Sequence, residues 1–135
     1  MQKYKNLKRL KAEQFCRLTS VKRETFQVMA EILSKAEVEK RSRGGPKPKL
    51  CIEDRLLPAL EYLREYRTYF HVGTNYGLSE SQAQRTHWWV EKELMKDKRF
   101  HLPGRKKLLE NNCEFEVILI DAAESPVERP KKKEM

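Results

Sequence analysis

The sequence is short of long apolar runs. The longest near the C-terminus, Val117-Ile118-Leu119-Ile120, has four residues, against the ~20 that a membrane-spanning helix needs. The lysines near the N-terminus are not followed by an apolar stretch of about 7–15 residues, so no signal peptide is expected. Cysteine is scarce: Cys16, Cys51 and Cys113 are odd in number and far apart, and no CxxC occurs. That pattern excludes a disulfide framework and a zinc ribbon, and free thiols in a reducing cytoplasm are the natural expectation. His71, His87 and His101 share no metal-ligand spacing. No internal repeat is visible.

What is there is charge. The 135 residues suit one domain, or one small domain plus a fragment, long enough to bury roughly two-thirds of the unfolded surface. Charged residues make up 36% and the net charge is +9. Residues 1–50 hold 14 basic and 5 acidic side chains, while the remaining residues are balanced. The whole excess therefore lies in the first 50 residues, which reads as a surface facing a polyanion, or as a solvated helix face.

Helical periodicity dominates residues 12–98. Helices are expected over 12–20 and 21–43, the second capped by Thr19 or Ser20 and carrying a stripe of Phe26, Met29, Ile32 and Leu33. Gly44-Gly45-Pro46-Lys47-Pro48-Lys49 breaks the pattern and reads as a solvated linker. Apolar residues recur helically from Ile52 to Tyr66, but Pro58 lies inside that span. An interior proline removes a backbone hydrogen bond and crowds the preceding turn, costing ~3 kcal/mol, so a kink or a late helix start is expected.

Residues 69–76 and 80–98 form the most informative pair. Ser79 and Gln82 have the spacing of a capping box. Gly73 and Gly77 stand where a helix-turn-helix needs a small residue for close crossing and a turn residue with positive φ. Leu78 follows as the apolar plug and Ala83 as the next inward position, while Thr86 stands where a larger apolar residue is usual. An ordinary helical hairpin shares this spacing; the basic first half favours DNA. The exposed residues early in the second helix, Ser79, Glu80, Ser81, Gln84 and Arg85, are then expected at the major groove. Gln pairs with adenine and Arg with guanine, and serines at a helix N-terminus can hold phosphate. Lys8, Arg9 and Lys11 are expected on phosphates. Trp88 and Trp89 point about 100° apart, so one should be core and the other partly exposed.

From residue 115 the pattern turns β-branched. Phe115 to Asp121 reads as a buried strand, ending in an acidic residue where a metal ligand could stand. The run from Val117 through Asp121-Ala122-Ala123-Glu124-Ser125-Pro126-Val127-Glu128-Arg129-Pro130 to Lys133 resembles the first catalytic block of DDE transposases of bacterial insertion sequences, in the insertion-sequence-five group. Ile52 to Leu57, Tyr62 to Tyr69 and Phe100 to Lys106 are similar to that family's helix-turn-helix lead-in and linker. Ala123 replaces the family's usual Thr, and Pro58 an ordinary helix residue.

The resemblance implies an N-terminal helical domain that recognises terminal inverted repeats. It also implies an RNase H-like catalytic domain in which two Asp and one Glu hold two divalent metals. Asp121 matches the first Asp; the second Asp and the Glu lie further downstream in the family. The expected architecture is mainly α: a basic helical region and linker (1–50), a helix-turn-helix domain (51–100), then a linker and the first strand of an incomplete RNase H-like domain (101–135). The expected function is a DNA-binding protein that is catalytically incomplete on its own, located on the nucleoid of a bacterial cytoplasm. No cofactor is expected in this chain, and Mg2+ only in a completed transposase, with Asp121 as its ligand. Double-stranded DNA is the expected partner, with self-association or a second reading-frame product as further partners. The other readings are the first-frame part of a frameshifted active transposase, and a basic helical domain that binds protein or RNA.

Overall fold

A computed structural model describes residues 4–101 and Gly104. Residues 4–101 lie within one compact unit. Six α-helices follow one another: α1 (Tyr4–Leu7), α2 (Ala12–Thr19), α3 (Arg23–Ser42), α4 (Ile52–Glu65), α5 (Tyr69–Tyr76) and α6 (Glu80–Leu94), with a 3-10 turn at Lys98–Phe100. The described residues are therefore helical and contain no strand. The strand expected over 115–121 lies outside them, as do Cys113 and Asp121.

One hydrophobic core draws on both sides of the 44–50 segment. Phe15, Phe26 and Leu33 from the first part meet Leu56, Leu60, Val72 and Val90 from the second. In α3 the buried residues Phe26, Met29 and Leu33 follow the helical period. α4 is the central element and packs on all five other helices. That surround explains why Arg55 through Leu60 are buried without a break.

The expected late helix start at Pro58 is overturned. α4 runs unbroken from Ile52 to Glu65, with Pro58 at its seventh position and fully buried. Pro58 has no N–H for the Asp54 carbonyl, but it stands inside the run Arg55 to Leu60 that the neighbouring helices bury.

Three boundaries also differ from the sequence pattern. Thr19 and Ser20 do not cap α3. Thr19 is buried at the end of α2, where its hydroxyl donates to the Phe15 carbonyl at 2.9 Å, and Ser20 closes α2 with φ 63°. Lys22 takes the cap position of α3. α6 stops at Leu94 rather than at 98, because the Asp97 carboxylate accepts from the Arg99 backbone N–H at 2.9 Å and starts a separate turn. The short α1 has no visible period in the sequence; it is held by Leu7 in the core and by Tyr4 stacked on Phe26 at 5.1 Å.

Arg55 ties the helices around α4 together. Only 8% of it is exposed. Its guanidinium donates to the Glu37 carboxylate on α3 at 2.8 Å and lies 3.7 Å from the centre of the Trp89 ring on α6. A buried pair of this kind is most sensitive to losing one partner, since the other charge stays buried alone. Arg55→Ala should lower the unfolding free energy by about 3 kcal/mol in urea titration. A loss below about 0.5 kcal/mol, the range of an exposed pair, would contradict the structural role.

Candidate nucleic-acid interface

α5 and α6 are joined by Gly77-Leu78-Ser79, and each residue has a defined task. Gly77 ends α5 in the left-handed conformation at φ 65°, which favours glycine. The Leu78 N–H donates to the Gly73 carbonyl at 2.8 Å. A Cβ on Gly73 would lie 2.6 Å from the Leu78 carbonyl oxygen and 3.3 Å from that of Ser79, so any side chain there forces the turn backbone to shift. Leu78 is half-buried against the core. Ser79 caps α6: its hydroxyl accepts from the Gln82 N–H at 3.3 Å, and the Gln82 side chain accepts from the Ser79 N–H at 3.1 Å.

α6 buries Ala83, His87, Val90 and Leu94. The inward position after Ala83 is thus His87, and Thr86 is only half-buried. Sequence reasoning missed this histidine, although its place on the helical period beside Ala83 and Val90 carried the signal. Tyr62 and Tyr69 stack at 4.5 Å, and His87 lies 4.4 Å from Tyr62. The Tyr69 hydroxyl is 3.1 Å from His87 Nδ1. Burial pushes the imidazole below its ordinary range, and the Glu91 carboxylate, 4.0 Å from Nε2, pulls weakly the other way. The ring is a neutral wall of the α4–α5–α6 junction.

The opposite side of α6 is open. Ser79, Glu80, Ser81 and Arg85 are exposed, and Gln84 is half-buried. Trp88 and Trp89 divide as expected: Trp89 packs against the core and Trp88 is 57% exposed. Ser81, Arg85, Trp88 and Lys92 are all exposed, and their spacing aligns them along one stripe of the helix.

The structure brings other cations to α6 than Lys8, Arg9 and Lys11. Those three are exposed at the connection of α1 and α2, two helices that pack chiefly on α3 and α4. The end of α3 and the 44–50 segment instead flank α6. Lys49 and Leu50 share one hollow with Gln82 and Arg85. Lys40, Arg43 and Gly44 share another with Trp89, Lys92 and Lys96. Glu39 and Glu93 also line the second hollow. Among the described residues no group of three His, Cys, Asp or Glu side chains is placed to hold a metal ion. No described helix is long and apolar enough to cross a membrane.

A short helix, a left-handed glycine turn and a longer capped helix define a helix-turn-helix domain. Residues 48–97 match the family described as helix-turn-helix of DDE superfamily endonuclease. Over 132 residues, 98% of this chain, the sequence is 42% identical to a probable transposase for insertion sequence element IS702 from Microchaete diplosiphon. The chain spans 48% of that relative's length. No solved structure matches it. Over nearly its whole length the chain thus resembles the helix-turn-helix-bearing part of a DDE transposase.

Gly73→Ala tests the turn. Alanine favours a helix over glycine by about 1 kcal/mol, but here the added carbon must push turn backbone away, which costs about 1–3 kcal/mol. A net loss of about 1 kcal/mol in denaturant unfolding is expected. A gain in stability would contradict the close crossing.

Proposed function

We propose that the chain binds the terminal inverted repeats of an insertion sequence as double-stranded DNA, with α6 in the major groove. The observation that carries this reading is the open stripe of α6 behind a capped N-terminus, held by a turn that closes directly on Gly73. Arg85 and Gln84 present the donors and acceptors that read guanine and adenine. Ser79 and Ser81 stand at the helix N-terminus, where phosphate is favoured. Glu80 lies beside them and suits a cytosine amino group. Lys40, Arg43 and Lys49 are the nearer phosphate set; Lys8, Arg9 and Lys11 are a second, more distant one. Such binding keeps the chain on the nucleoid of a bacterial cytoplasm.

Two variants separate base reading from phosphate binding. Gln84→Ala or Arg85→Ala should weaken the preferred duplex by ~1–3 kcal/mol more than a scrambled one in fluorescence anisotropy titrations. Equal losses on both duplexes would reduce these residues to backbone binding. The triple change of Lys40, Arg43 and Lys49 to Ala should flatten the dependence of log affinity on log salt by about 0.9 for each phosphate that is no longer neutralised. The same change at Lys8, Arg9 and Lys11 should flatten it less. The reverse order would move the DNA to the other side of the domain.

The same reading makes the chain catalytically incomplete by itself. Asp121 is its candidate first metal ligand, and two-metal chemistry needs further carboxylates around the ions. With Mg2+ or Mn2+ and a supercoiled plasmid bearing a terminal repeat, no nicking is expected. Nicking that disappears in Asp121→Ala would overturn this. A second reading is the first-frame part of an active transposase completed by frameshifting, with Asp121 on the start of an RNase H-like domain; the likeness of residues 117–133 to a DDE catalytic block supports such a domain.

A further inference from the structure

Trp88 is a large apolar side chain in the middle of a polar stripe. It is 57% exposed, one turn beyond Arg85 and one turn before Lys92, both exposed. Its neighbour Trp89 is accounted for by the core and by Arg55, and the inward face of α6 is filled by Ala83, His87, Val90 and Leu94. The Trp88 indole N–H is directed to the Tyr69 hydroxyl, and more than half of the side chain stays open to solvent.

We propose that Trp88 is a specificity-determining residue that reads the 5-methyl group of thymine in the major groove. This rests on the reading of α6 as the helix that enters the groove. The flanking cations Arg85 and Lys92 set the charge of the partner: a polyanion lies along this stripe, and Trp88 between them faces the same surface. The floor of a major groove offers donors, acceptors and one apolar group, the thymine methyl. An indole face pressed on that methyl removes apolar surface from water on both sides. The indole N–H, a donor only, is directed to the Tyr69 hydroxyl, so the exposed ring makes the contact to the base. Cytosine at the same position lacks the methyl, so the discrimination favours A·T pairs in one orientation.

The test uses the full chain and a duplex selected by it from a random 30-base-pair library. Each thymine of the selected duplex is replaced in turn by deoxyuridine, which deletes only the methyl group. The wild type should lose about fourfold in affinity at one position, the worth of one buried methyl. Trp88→Ala should bind the thymine and uracil duplexes at that position equally. The emission of the wild type should change on binding, and Trp88→Phe, which keeps Trp89, should lose that change. A wild type insensitive to every replacement, a selected site with no thymine, or Trp88→Ala as sensitive as the wild type would overturn the proposal. So would self-association that Trp88→Ala abolishes, since that assigns the indole to a second copy of the chain. Failure to select any duplex is a different result: it overturns the DNA-binding reading itself.

Discussion

With no side chain at Gly73, the turn carbonyls of Leu78 and Ser79 come against the backbone of α5. That approach fixes where α6 begins and at what distance it crosses α5. Gly77 completes the reversal with a left-handed backbone, and the Ser79–Gln82 cap uses two of the free N–H groups at the start of α6. Everything proposed for the outer face of α6 depends on this junction, because a recognition helix can read bases only if its first turns are held rigidly in place.

The rest of the domain fixes α6 from behind. α4 sits at the centre, and Pro58 falls inside its buried stretch, Arg55 to Leu60. Arg55 reaches from α4 to Glu37 on one side and Trp89 on the other, coupling α3 to α6 through one buried cation. The same coupling brings the basic end of α3 and the 44–50 segment beside α6. The positive excess of the first 50 residues thus has a route to the outer helix that does not pass through the α1–α2 connection.

The parts legible in the sequence are those set by local backbone physics. Gly73 and Gly77, the Ser79 cap, the apolar period of α3 and α4, and the division of labour between Trp88 and Trp89 all follow from spacing. The parts that are not legible are set by distant packing. The 44–50 segment has the composition of a solvated linker, and no local signal says that Lys49 and Leu50 lie beside Arg85. Thr19 can cap a helix but is buried at the end of one. His87 is polar by composition and interior by position, since Tyr62 and Tyr69 make a place for a neutral ring. α1 has four residues, too few to show a period, and its place comes from Tyr4 and Leu7 on the core.

The central claim is that the outer face of α6 enters a major groove, and guanine N7 reports on that directly. Methylation of guanine N7 by dimethyl sulfate, mapped along a duplex selected by the chain, should be blocked at one or more guanines within a single turn of DNA. That protection should vanish with Arg85→Ala while the weaker complex still forms. Tight binding with every N7 accessible and adenine N3 protected in the minor groove instead would contradict it.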